Sequence, residues 1–176
     1  MEPLQPGEQV VVVNPEKLNL IAQRDSGASW FATIGIFAVV NYLLIVFKVN
    51  VNFIFSLGIT SLVTYVAREV DTGGIGQGIA LVFTLLGCAG AFFFARFAKK
   101  GYTWAFVAGM VLYGLDGLLW VFLQDWIEVA AHGFALYCMF SGLRANLELH
   151  KKFPGHTDHA VAQVVGLTPE QPTTEG

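Results

Sequence analysis

The stretch GYTWAFVAGMVLYGLDGLLWVFLQDWIEVAAHGFALYCMFSGLR, residues 101–144, decides how the chain folds. It holds two long apolar runs, residues 103–123 and 126–143, separated by the short polar turn Gln124-Asp125. Each run is about the twenty residues that a helix needs to cross a hydrocarbon core, the second only just. Trp104, Trp120 and Trp126 lie toward the run ends, where indole rings favour the lipid–water interface. The pattern predicts a helical hairpin in a membrane. Asp116 and His132 are the ionisable groups inside it, one on each arm and each eight positions from Gln124. With a rise of about 1.5 Å per residue, both lie roughly 12 Å below the turn. Their matched depth predicts contact, direct or through one water, in the bundle interior.

Composition agrees with a membrane chain. Of 176 residues, 55% are hydrophobic and 13% charged, about half the charged share of a soluble domain. The basic excess of a nucleic-acid binder is absent, since the net charge is −3, so the expected partner is the lipid bilayer and not nucleic acid. A homo-oligomer or a membrane partner is compatible with the same features. Cys88 and Cys138 fall inside apolar runs and read as small buried hydrophobes. No cleavable signal peptide is expected, because the first apolar run starts near Gly27 and ends at Lys48 without a small-residue cleavage site.

Three further apolar runs precede the hairpin, at residues 28–47, 51–67 and 79–97. The fold class that follows is all-α, an integral membrane bundle of five transmembrane helices preceded by a short interfacial helix over 15–24. Asn14-Pro15 supplies a cap and a first-turn proline for that helix. The run at 51–67 is the shortest and richest in hydroxyls, and a re-entrant segment is its alternative reading. Residues 68–78 read as a charged, glycine-rich loop without a phosphate-binding lysine. In the run at 79–97, Gly87 and Ala91 form a small-xxx-small pair, and with Gly90 they predict a packing face. The expected organisation is an N-terminal arm (1–26), a transmembrane domain (27–147) and a polar tail (148–176) that composition marks as disordered. Residues 10–13 are a short β-branched run, an edge strand or an extended arm.

With five spans, Lys17, Arg24 and Arg68 fall on one side, and the other seven basic residues fall opposite. The positive-inside rule then predicts an outer N-terminus and a cytoplasmic C-terminus in the plasma membrane.

Candidate site residues are Asp116, His132, Glu128 and Asn41. An intramembrane carboxyl and imidazole point to an ion or proton path, or to a pair that satisfies itself. Glu128 lies one turn before His132 and near the interface. Asn41 is the strongly polar group of the first span, suited to hydrogen bonding across helices. Glu128, His132 and Asp116 fall short of the His- or Cys-dominated set that zinc favours, and His156 and His159 lie in a tail without a scaffold. No metal and no cofactor is therefore expected. HExxH and GxSxG are absent as well. The leading expectation is a non-enzymatic structural or accessory membrane protein. A small transporter or channel using Asp116 and His132 is one alternative, and a binder of an apolar ligand within the bundle is another.

The segments GASWF from Gly27, GIT from Gly58, WAFVAGMVLYGLDGL from Trp104 and HGFAL from His132 resemble a family of small uncharacterised bacterial polytopic membrane proteins. The resemblance spans residues 27–144. It implies a prokaryotic plasma membrane and brings no activity, substrate or cofactor with it.

Overall fold

The computed structural model describes residues 14–49, 57–70 and 74–154. Five helices order these residues: α1 (Pro15–Val46), α2 (Gly58–Glu69), α3 (Ile75–Lys99), α4 (Thr103–Phe122) and α5 (Trp126–Lys152). The all-α class is as expected. Of the five, α1, α3 and α4 are long and apolar enough to cross a membrane. Large apolar side chains stand exposed along α3 and α4, including Val82, Phe83, Leu86, Leu112 and Leu115. A coat of this kind suits lipid and would be costly in water.

The expected interfacial helix is not a separate element. Helix α1 runs unbroken from Pro15 to Val46, because no proline interrupts it and Gly27 is used for packing. Asn14 caps it as expected, its side-chain oxygen accepting from the Glu16 and Lys17 backbone N–H groups at 2.9 and 3.4 Å. A Cβ on Gly27 would lie 2.6 Å from the Gly142 Cα. Here α1 and α5 cross backbone to backbone, which only glycine permits. The proposed domain boundaries at 26/27 and 147/148 therefore fall inside α1 and α5.

Neighbouring helices are mostly antiparallel. Gln23 meets Ser141 and Glu16 pairs with Lys152, so the start of α1 lies beside the end of α5. The Tyr42 hydroxyl donates to the Gln77 carbonyl at 3.2 Å, so the end of α1 lies beside the start of α3. The core between them is aromatic and small by turns: Phe31, Phe94 and Phe106 stack loosely around Ala28, Ala105 and Ala135. Gly87 packs against Leu57 and Thr60, and Ala91 against Gly35, as the small-residue pattern predicts. Gly90 differs: a Cβ there would meet nothing within 4 Å.

Helix α2, as described, is shorter than a span. Its twelve residues rise about 18 Å, well short of the roughly 30 Å hydrocarbon core. It starts at mid-depth of α4, where Gly58 meets the Asp116 carboxylate. It finishes where Ala67 packs on Gly76, at the end of the bundle that also holds the end of α1. Within the described residues the second apolar run is a half-helix, and residues 50–56 lie outside them. The expected loop at 68–78 is also shorter, since Arg68 and Glu69 end α2 and α3 already begins at Ile75. The β-branched run at 10–13 and the tail beyond 154, with His156 and His159, lie outside the described residues.

The two ends of the described bundle lie together. The contact between Glu16 and Lys152 places both chain ends of the described bundle at one end. Five full spans would have parted them; four long helices and a half-helix bring them together. Reporter fusions after Pro154 and before Asn14 are expected to report the same side of the membrane. Opposite sides would contradict the antiparallel pairing of α1 with α5.

Candidate functional site

The hairpin of α4 and α5 is built by two local devices. At the end of α4, Gln124 takes a left-handed φ of 59°. The Asp125 N–H then donates back to the Trp120 carbonyl at 3.0 Å, and the Gln124 N–H to Val121 at 3.2 Å, the pairing of a Schellman helix end. Asp125 next caps α5, its carboxylate accepting from the Glu128 N–H at 3.3 Å. The two helices return antiparallel, and Gly117 lets the His132 ring lie against α4: a Cβ there would sit 3.2 Å from its Cδ2.

Asp116 and His132 meet as the matched depth predicts. His132 Nε2 lies 3.2 Å from Asp116 Oδ2, and both residues are buried, at 2% and 8% exposure. The contact is only part of the arrangement. Asp116 Oδ2 also accepts from the Gly58 N–H at 2.7 Å, and Oδ1 from the Ile59 N–H at 2.8 Å. These are the first two amides of α2, which have no partner within their own helix. Leu57 precedes them and offers no side-chain cap. An aspartate of α4 thus caps α2 from outside it, at the helix end where negative charge is favoured.

The hydrogen inventory of the pair is fixed by its neighbours. His132 Nδ1 lies 2.9 Å from the Glu128 backbone carbonyl, which can only accept, so Nδ1 carries a hydrogen. The contact between Nε2 and Oδ2 then needs one further proton. Whichever atom holds it, the two side chains together carry no net charge, the cheapest condition for an ionisable pair out of water. Tyr113 stacks on the imidazole, ring centroids 4.4 Å apart at 13°. Both imidazole nitrogens are occupied, so the trio Glu128, His132 and Asp116 offers no free imidazole lone pair to a metal. Among the described residues no group of three or more possible ligands comes together.

The other two candidates go elsewhere. The Asn41 side-chain N–H donates to the Ser61 hydroxyl at 2.9 Å, tying α1 to α2 as an interhelical bond. Glu128 shares only its backbone with His132. Its buried carboxylate turns toward a cavity at the α4–α5 turn, lined also by Asn41, Ser61 and Trp120. A second cavity lies on the other side of the α2 start. It has a volume near 520 Å³ and is walled by Phe31, Ile34, Phe94, Leu112, Tyr113 and Leu119, with Gly87, Gly90 and Gly109 on its faces.

Sequence reasoning missed Gly58 and Ile59 as partners of Asp116. The signal was a break within the apolar run, a glycine preceded by an apolar residue that cannot cap. It also missed Tyr113, whose spacing three residues before Asp116 puts it on the same helix face.

Comparison of the chain with protein-family models, curated proteins and solved structures finds no match. Geometry therefore carries the functional reading.

Asp116→Leu is expected to destabilise more than His132→Leu, because it strands two amides as well as the imidazole. Each stranded buried group costs about 1–3 kcal/mol. The double variant should lose less than the sum of the singles, by about 1 kcal/mol. Reversible unfolding in detergent measures all three. Additive losses, or equal single losses, would contradict the capping geometry.

Proposed function

We propose that the chain is a non-enzymatic integral membrane protein of a prokaryotic plasma membrane that holds an apolar ligand between α1, α3 and α4. The observation that carries this reading is the chamber of about 520 Å³. Its size lies within the range of ordinary ligand sites, which are concave and mostly apolar. Leu57 and Ile59, at the start of α2, border it as well. Its walls are apolar apart from Tyr113, the edge of Asp116 and the glycine backbones. Helices α3 and α4 touch through Phe93, Phe94, Phe97 and Trp104 near their turn. Further along, the half-exposed Leu112 and Leu115 open the chamber toward the bilayer. An acyl or comparably extended hydrocarbon chain, entering sideways from lipid, is the occupant that suits it.

The Asp116–His132 pair serves this reading as a structural element. A transport path would bring water to the carboxylate, whereas its oxygens already hold Gly58, Ile59 and His132. Topology is part of the same proposal: four spans, α2 as a re-entrant half-helix, and both ends cytoplasmic. Lys17, Arg24, Arg96, Lys99, Lys100, Arg144, Lys151 and Lys152 then gather at one end, leaving Lys48 and Arg68 at the other. This asymmetry of eight to two is stronger than the seven to three of the five-span reading, and it supports a cytoplasmic location for the richer end. The resemblance of residues 27–144 to bacterial membrane proteins supports the choice of membrane.

Gly90 supplies the test, since a side chain there enters the chamber without striking a neighbour. A diazirine-bearing fatty acid, photolysed with the purified protein, is expected to label α3 around residues 87–94 and α4 around 109–116. Gly90→Leu should leave the melting temperature near that of the parent and cut this labelling by about tenfold, the factor that 1.4 kcal/mol of lost contact gives. Labelling confined to outward residues such as Leu85 and Leu86, unchanged by Gly90→Leu, would contradict the reading.

A further inference from the structure

The cavity at the α4–α5 turn has a different chemistry and does not depend on the apolar chamber. It too has a volume near 520 Å³ and is lined by the ends of α1 and α4, the first two turns of α2 and the start of α5. Asp125 and Glu128 give it two carboxylates, and no lysine, arginine or histidine is among its lining residues. Asp125 is spent on capping α5. Glu128 is not spent. It is 7% exposed, and its Oε2 finds no hydrogen-bond partner among the described residues.

Sequence alone would give Glu128 a local task. It stands three residues after a capping aspartate, the position from which a glutamate reaches back to the cap's own N–H. That N–H is already taken, because the Schellman end of α4 commits the Asp125 amide to the Trp120 carbonyl. His132, one turn on, cannot help either, since its two ring nitrogens are bound to Asp116 and the Glu128 backbone. Glu128 borders the cavity with its buried Oε2 unpartnered among the described residues. Trp120 borders the same cavity, and its indole N–H, packed over Gly58, is buried and also without a partner among the described residues. Leaving such groups unpaired is costly. Two residues that carry unpartnered buried polar atoms, an acceptor and a donor, therefore border one space, and Tyr65 and Trp120 contribute aromatic walls.

From this we infer that the cavity is a binding site for a small organic cation with a primary ammonium group, held by Glu128 and flanked by the aromatic rings. The ammonium N–H groups donate to Glu128 Oε2 as charge-assisted hydrogen bonds. The rings favour the same charge through their π-faces. An oxygen acceptor near the ammonium, as in an amino alcohol or a phosphoethanolamine, would also take the Trp120 N–H. Tyr65 and Asp125 are the exposed residues among those that carry these carboxylates and rings.

The test is equilibrium dialysis of benzylammonium against the full-length protein in phosphatidylglycerol nanodiscs, with benzyl alcohol as the uncharged comparator. Saturable binding of benzylammonium is expected, at least about tenfold tighter than benzyl alcohol, and Glu128→Gln should remove that preference. Glu148→Gln, a change of the same charge on an exposed face away from the cavity, should leave it intact. Equal binding of the two compounds by the parent protein would overturn the inference even if Glu128→Gln fails to fold. So would an unchanged preference in that variant, which would leave Glu128 as a hydrated carboxylate. Repeating the titration in phosphatidylethanolamine nanodiscs separates the sources. Competition by the lipid supports a headgroup in the site; undiminished binding supports a free amine. Neither result bears on the fatty-acid labelling of the chamber, so the two readings fail separately.

Discussion

The arrangement depends on one carboxylate. A helix that begins inside a packed bundle exposes amides that have neither water nor a preceding turn to bind. Asp116 answers that demand by accepting from Gly58 and Ile59 at once. Its own cost of burial is offset by the same two bonds and by His132, which neutralises the site as a pair. The three elements are mutually dependent. Without α2 the aspartate would be an isolated acid at mid-depth, and without the aspartate α2 would start on unsatisfied backbone. Tyr113 and Gly117 hold the imidazole in the plane and at the distance that this requires.

Both cavities follow from the same constraint. The start of α2 at Leu57 and Ile59 borders the apolar chamber. On the other side, α2 leans against α1 through Asn41 and Ser61, while Trp120 lies over Gly58. The turn from α4 to α5 closes above them, and its backbone bonding determines what remains available. By taking the Asp125 amide, the Schellman end of α4 releases Glu128 from helix capping. One space is thus walled by Phe31, Phe94 and leucines, and the other by carboxylates, an amide and aromatic rings.

Much of this was legible in the residues. Helix content, the α4–α5 hairpin and the Asn14 cap follow from hydropathy and capping chemistry. The Asp116–His132 contact follows from equal distances to the turn. The Gly87 and Ala91 packing face was legible for the same local reasons. The span count was not. Hydropathy weighs how apolar residues 51–67 are, and it is blind to an aspartate fifty-eight positions after Gly58 that allows a helix to start there. The charge asymmetry depends on the same count, because one crossing more or fewer moves Lys17 and Arg24 from one side to the other. The continuity of α1 was hidden for a related reason: polar residues at 16–25 suggest a separate element, while the crossing of Gly27 on Gly142 is a tertiary fact. Glu128 was visible as a residue near the interface, but its release depends on which amide the turn consumes.

The capping of α2 by Asp116 can be read directly from amide hydrogen exchange at Gly58 and Ile59, followed by NMR in detergent micelles. In the parent protein both amides are expected to exchange slowly, as bonded and buried N–H groups do. In Asp116→Ala they should exchange much faster, while the amides of α4 around residues 105–113 keep their protection. Fast exchange of Gly58 and Ile59 in the parent, or protection that survives the loss of the carboxylate, would contradict the account at its centre.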